Sequence, residues 1–256
     1  MSFGICHLSV VPVRKEPSDK SEMTTQLLFG ETVAISESYQ GWLKIRIITD
    51  NYEGWIDGKQ ILKIESDTFN EIEKSDKQLS LDLVQVVHMS RQKVIPLLMG
   101  STLPGLKDKV FRIVNDEYHY DGMLSDRNGS REKIIEYALM YLNAPYLWGG
   151  KTPFGIDCSG LVQMVYRLNG IPLLRDAAEQ AEQGEMLSFI SDALPADLLF
   201  FDNADGDIIH TGILLPDGKI IHASGKVRID KVDHQGIFNE EQKKYTHHLR
   251  LIKRII

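Results

Sequence analysis

Cysteine is scarce in this chain: Cys6 and Cys158 are the only two among 256 residues. Two thiols make no disulfide framework of the kind that staples small secreted domains. They fit a reducing compartment, with the cytoplasm as the default location. Basic residues are not in excess either. Lys and Arg number 29 against 36 Asp and Glu, a net charge of −7, so nucleic acid is not an expected partner. No uninterrupted apolar run reaches membrane-spanning length, which reads as a soluble chain with no membrane partner. The opening "MSFGICHLSVV" lacks the basic start and long apolar core of an export signal. What is present is ordinary: 43% hydrophobic and 25% charged residues, with enough length for two or three small domains and ample core.

Up to about residue 66 the chain reads as short β runs between turn residues. "ETVAIS", "WLKIRII" and "GWIDG" are rich in Val, Ile and Trp and suggest a small barrel. Trp42 and Trp55 are expected in its core. Residues 67–127 carry an echo of that segment. "LLFGETV" at Leu27 returns as "LLMGSTL" at Leu97, and "YEGWI" at Tyr52 returns as "YDGML" at Tyr120, with offsets of 70 and 68 residues. Two matches in order, at nearly one offset, predict a duplicated fold. From residue 128 the period changes. "SREKIIEYALMYL" places apolar residues at 134, 135, 138, 139 and 142, a helical stripe that Ser130 caps. The Gly-rich, aromatic loop "YLWGGKTPFG" leads to a second helix, "CSGLVQMVYRLNG". Leu161, Val162, Val165, Tyr166 and Leu168 form its broad apolar face, and Asn169-Gly170 ends it. The runs "DLLFFD", "DIIHTGILL" and "KIIHAS" then read as strands. Helices followed by an antiparallel sheet make an α+β layout.

Cys158 falls in the first turn of the second helix, where free N–H groups and the dipole favour a thiolate and can hold an oxyanion. Gly149, Gly150, Gly155 and Gly160 allow close backbone approach around it. On chemistry alone this thiol reads either as a nucleophile or as a small core residue; Cys6, inside "GICHLSVV", reads as core. The histidines decide. Pro216-Asp217-Gly218 is a turn sequence. A three-residue loop closed by Leu215 and Lys219 puts Gly212 opposite His222 and His210 opposite Ser224. Both imidazoles then share one face, roughly 7–8 Å apart at the backbone. One can serve as base toward the thiol and the other can orient it. A loop of even length would separate them. His7, His88, His119, His234, His247 and His248 are read as unrelated to this pair. A zinc site of Cys158, His210 and His222 needs the same clustering but lacks a fourth ligand.

Together, "YLWGG", "DCSGLV", "PADLLFF" and "HTGILLPDGKIIHAS" resemble the NlpC-type cysteine endopeptidases of bacterial cell-wall peptides, over roughly residues 130–256. The resemblance implies a papain-like α+β core at 128–256, with Cys158 as nucleophile, His210 as general base and His222 as the residue that orients it. The N-terminal half resembles bacterial SH3-like domains, one barrel at 1–66 and a second, divergent one at 67–127 that has lost both Trp positions. SH3-like modules before this core are similar to γ-D-glutamyl-L-diamino-acid endopeptidases of murein peptide recycling. That group requires a free N-terminal L-Ala, releases L-Ala-D-Glu and needs no metal or organic cofactor. By the same resemblance Asp157 is the anion for the substrate ammonium, Tyr52 is the tyrosine supplied by the first barrel, and Ser159 and Tyr146 line the pocket. Arg175-Asp176 matches a substrate-contacting pair, with Arg175 facing the carboxylate of D-Glu. Other amide hydrolases or acyl transferases on the same core, and a cell-wall binding protein, are the alternatives. One departure stands out: the family's Pro-Gly-Asp is here Pro195-Ala196-Asp197, and alanine tolerates positive φ less well than glycine.

Overall fold

The computed structural model describes residues 2–89 and 93–256. The chain divides into two compact units, Met1–Ser125 and Asp126–Ile256.

The first unit is dominated by strands. A seven-stranded antiparallel sheet runs in the order Met23–Leu28, Val10–Arg14, Glu53–Asp57, Trp42–Ile47, Thr32–Tyr39, Ser2–Ile5 and Leu62–Ile64. The runs read as strands from their Val and Ile content take those positions. Alternation buries Leu43, Ile45, Ile47 and Ile56 in one core with Val11 and Leu27. The same alternation corrects one expectation. Trp42 and Trp55 are half-buried and lie on the opposite face from that core, beside Asp57 and Lys44 respectively.

The second half of this unit has a four-stranded sheet, ordered Lys93–Leu98, Val84–Met89, Asp116–His119 and Val110–Ile113, and a two-stranded one, Thr102–Pro104 with Lys77–Leu79. One echo in the sequence has a counterpart in the backbone. Gly30 and Gly100 both take φ near +80° (79° and 85°), a left-handed conformation that favours glycine. In the first loop Gly30 N–H donates to Cys6 C=O and Cys6 N–H to Glu31 C=O. In the second, Gly100 N–H donates to Ser80 C=O and Ser80 N–H to Ser101 C=O. The other echo does not extend to secondary structure. "YEGWI" contributes the strand Glu53–Asp57, whereas Tyr120 to Leu124 follow the last strand as an irregular segment. That segment is tied locally by Tyr120 Oη–H donating to Met123 C=O.

The second unit is α+β. Its sheet is ordered Glu185–Leu187, Lys244–Arg254, Leu198–Asp202, Ile208–Leu215, Lys219–Ser224, Lys226–Asp233 and Gly236–Asn239. Gly236–Asn239 also pairs back onto the long Lys244–Arg254 strand, which closes a six-stranded barrel. Leu199, Phe201, Leu214, Ile220, Val232 and Ile237 form one of its buried clusters. The Cys158–Leu168 helix packs on the Ile208–Leu215 and Lys219–Ser224 strands, and the Arg131–Met140 helix packs on it in turn. Ser130 caps the latter helix by accepting from Lys133 N–H at 3.2 Å. Its buried stripe differs from the expected one. Ile134, Tyr137, Ala138 and Tyr141 face the core, while Leu139 and Leu142 are exposed. The i, i+3, i+4, i+7 spacing is kept, but two tyrosines rather than two leucines supply the bulk.

Asn169 and Gly170 (φ +78°) end the Cys158 helix. The turn before Leu198 keeps its left-handed residue although it is alanine: Ala196 has φ +75°. The turn is held from three sides. Ala196 N–H donates to Leu214 C=O, Ala196 C=O accepts from Tyr166 Oη–H, and Asp197 takes ion pairs from Arg131 and Arg254.

Candidate active site

The site is built from a helix start and three neighbouring strands. Asp157 precedes the helix in extended conformation, and its Oδ1 accepts from Gly160 N–H at 2.6 Å. Such a cap typically contributes about 1 kcal/mol. Its Oδ2 accepts from Gly149 N–H at 2.8 Å, which fastens the loop to the helix start. Gly160 is required here, because a Cβ would lie 2.3 Å from Gly150 C=O. Cys158 is thereby placed at the first turn, 7% exposed.

Burial acts first on this sulfur. Together with the Asp157 charge it pushes the thiol pKa up to about 11, against the smaller opposing pull of the Thr211 and Ser159 backbone N–H groups and of Arg175. The pull of the helix start on the thiol is thus outweighed by burial. The helix start does supply donors that face the sulfur, and Thr211 adjoins His210.

Across the hairpin the register runs Leu215↔Lys219 to Gly212↔His222, as the three-residue loop predicted. His210 and His222 fall on one face, with His210 Nε2 and His222 Nδ1 2.9 Å apart. Gly212 makes room for this arrangement, since a Cβ there would meet His222 Cβ at 2.9 Å. The rings bond to each other rather than converging on one point as metal ligands would. Burial, then the neighbouring His222 and His247, hold the His210 pKa well below its ordinary value.

Three residues that sequence reasoning did not place here complete the cluster. Asp230 lies 3.0 Å from His222 Nε2 through its Oδ2. Arg228 grips the same carboxylate, with Nε at 2.7 Å from Oδ2 and Nη2 at 2.9 Å from Oδ1. Burial opposes charge on Asp230, but hydrogen bonds from His222 and Arg228 outweigh it and lower the carboxyl pKa. His247, read from sequence as unrelated, stacks on the His210 ring with centroids 4.2 Å apart. Burial lowers its pKa to about 4. A signal for Arg228 and Asp230 existed. Extending the register argument by one more hairpin pairs His222 with Arg228 and Ile220 with Asp230. His247 had no such local signal, because barrel closure brings it in.

The expected substrate-contacting residues divide. Asp157, Ser159 and Arg175 come together. Arg175 Nη1 donates to Asp157 Oδ1 at 3.1 Å and to Ser159 Oγ at 2.9 Å, and Nη2 to Asp157 Oδ2 at 2.6 Å. Arg175 is 1% exposed and turns its planar fork to Asp157. Tyr146 belongs to the same cluster. Burial first, then the charges of Cys158 and Asp157, raise its hydroxyl pKa to about 12. Asp176 is exposed, and its backbone N–H donates to Glu179 Oε2 at the start of the Ala177–Gln180 helix. Tyr52 is in the other unit, partly buried against the hydrophobic core there, with its N–H donating to Asp50 Oδ1. Among the described residues, no helix is long and apolar enough to cross a membrane.

Sequence comparison supports a peptidoglycan-related hydrolase carrying an NlpC/P60 domain. Residues 143–250 match the model of the NlpC/P60 family, and residues 13–61 match that of the bacterial dipeptidyl-peptidase SH3 domain, so the chain carries both domains. It is similar to the gamma-D-glutamyl-L-lysine dipeptidyl-peptidase of Bacillus subtilis (strain 168). The two are 29% identical over 216 residues, which cover 78% of this chain and 71% of that one. Dipeptidyl-peptidase 6 of Lysinibacillus sphaericus is 29% identical over 247 residues, covering 86% and 88%. The fold matches the crystal structure of an NlpC/P60 family protein from Bacillus cereus ATCC 10987, with a TM-score of 0.84, 19% identity and 99% coverage of each chain.

Proposed function

We propose that the chain is a cysteine endopeptidase that cuts the bond between γ-D-Glu and a diamino acid in murein peptides with a free N-terminal L-Ala, releasing L-Ala-D-Glu. One observation carries the chemistry: a buried thiol faced by backbone N–H groups, beside a strand whose His210 is hydrogen-bonded to His222. The relatives' names, which specify γ-D-glutamyl-L-lysine dipeptidyl-peptidases, support the substrate.

In this reading Cys158 and His210 both rest neutral. As the sulfur attacks the carbonyl carbon, His210 takes the thiol proton, a step worth typically ~10²–10⁴ in rate. The oxyanion accepts from N–H groups near the helix start. When the C–N bond breaks, His210 returns the proton to the leaving amine and a thioester remains on Cys158. Water, deprotonated by His210, then hydrolyses the thioester. No step calls on a metal or organic cofactor. Asp157, Ser159 and Tyr146 line the amino-end side. Asp176 is kept as an outlying contact, and Arg175 fixes Asp157 and Ser159. The N-terminal unit is read as two SH3-like barrels, 1–66 and 67–127, on the strength of the paired Gly30 and Gly100 loops.

Mass spectrometry of a digest tests this. L-Ala-γ-D-Glu-diaminopimelate and L-Ala-γ-D-Glu-L-Lys are offered free and N-acetylated, with Cys158→Ala as control. Release of L-Ala-D-Glu from the free peptides alone is the expected result. Because Arg175 already neutralises Asp157, the acetylated pair tests amino-end recognition separately. Equal turnover of both forms removes that part, and cleavage by Cys158→Ala removes the chemistry.

A further inference from the structure

We infer that Asp230, anchored by Arg228, sets the tautomers of His222 and His210 and so determines which ring nitrogen of His210 is bare toward the thiol. This rests on the catalytic reading above and goes beyond its three residues: Asp230 is a positioning residue, acting through two rings.

An ionised carboxylate only accepts. His222 Nε2, 3.0 Å from Asp230 Oδ2, must therefore carry the proton. If the imidazole of His222 is neutral it has one N–H, and its Nδ1 is then bare and can only accept. Its partner at 2.9 Å, His210 Nε2, must then be the donor. His210 is left with a bare Nδ1, the nitrogen that can take a proton from sulfur.

Without the carboxylate the opposite wiring is equally complete. His222 Nδ1–H would donate to His210 Nε2, and the His210 proton would move to Nδ1. Each wiring has one hydrogen bond between the rings, so nothing in the pair itself chooses. The reversed one offers the thiol an N–H and no base. Only a fixed acceptor at the far end breaks the tie.

Arg228 keeps that acceptor in place. Its Nε and Nη2 hold both carboxylate oxygens, with Glu241 3.7 Å from Nη1 on the other side. Antiparallel pairing explains why the groups meet. Arg228 lies directly opposite His222, and Asp230 lies opposite Ile220, on the same face two residues along. Asp230 is 8% exposed and His222 1%, so water does not supply an alternative acceptor freely. His247 stacks on His210 and limits the tilt of its ring.

Ring nitrogen tautomers are read directly by long-range ¹H–¹⁵N correlation on histidine-labelled protein, without turnover. In the unaltered protein near neutral pH both His210 and His222 are expected as Nε2–H forms. Finding either as the Nδ1–H form overturns the inference and needs no variant to fold. In Asp230→Ala the two wirings should mix, kcat should fall at least about tenfold and KM should stay within about threefold, as for a triad whose base is held in the wrong tautomer. Unchanged ring signals in a folded Asp230→Ala protein also overturn it. Failure of the catalytic reading shows elsewhere, as activity surviving in Cys158→Ala.

Discussion

Two buried thiols occupy two regions of this chain, and their surroundings have opposite polarity. Cys6 lies in the core of the N-terminal unit, fully buried, with its Sγ–H directed at carbonyl oxygens of Leu8 (3.3 Å) and Leu27 (4.0 Å). Carbonyls stabilise a proton on sulfur and oppose its loss. Cys158 is nearly as buried, yet backbone N–H groups of Thr211 and Ser159 face its sulfur, and donors stabilise the anion that forms when the proton leaves. Burial is common to the two thiols, and what differs is the sign of the dipoles that face each sulfur.

The largest effect expected from this contrast is on activity. Cys158→Ala should lower peptide hydrolysis by ~10³-fold or more, whereas Cys6→Ala should leave kcat/KM unchanged. The Cys6 change should instead cost about 1–2 kcal/mol in a denaturant titration, from lost packing. Loss of hydrolysis in a folded Cys6→Ala protein would erase the distinction.

A smaller effect concerns the charges beside Cys158. Asp157 and Arg175 form a buried pair whose carboxylate also holds the loop at Gly149 and the helix start at Gly160. Arg175→Met leaves Asp157 buried without its counter-charge. It should destabilise the protein by ~3–5 kcal/mol, measured by denaturant unfolding, and raise the Cys158 pKa further. A loss below about 1 kcal/mol would place the pair among weak surface contacts.

Much of the catalytic side was legible because it is local. The turn Pro216-Asp217-Gly218 and the two-residue period of strands fixed the face shared by His210 and His222, and the register agrees pair by pair. The helix start at Cys158 followed from Asp157 and the apolar run behind it. What was not legible depends on long-range closure or on unexpected burial. His247 reaches His210 only because the last strand pairs with both Leu198–Asp202 and Gly236–Asn239. The burial of Arg175 is not visible in "LLRDAAEQ" because nothing local marks a guanidinium for burial. The partner that makes burial tolerable is 18 residues away in sequence. The thiol pKa is hidden for a related reason: the helix start is visible in the sequence, and the desolvation that outweighs it is not. In the N-terminal unit the Gly30 and Gly100 loops were readable as a pair, while the second Tyr-Asp-Gly segment had lost the strand that its counterpart keeps.

The proposed mechanism has Cys158 resting as a neutral thiol beside a neutral His210 and losing its proton only as it attacks. The direct test is the ultraviolet absorbance of thiolate, taken as unaltered protein minus Cys158→Ala across a pH titration. The account predicts no thiolate signal near about pH 7 and its appearance only as pH approaches about 11. A full thiolate signal near neutral pH that vanishes in His210→Ala would show a preformed thiolate–imidazolium pair and contradict it.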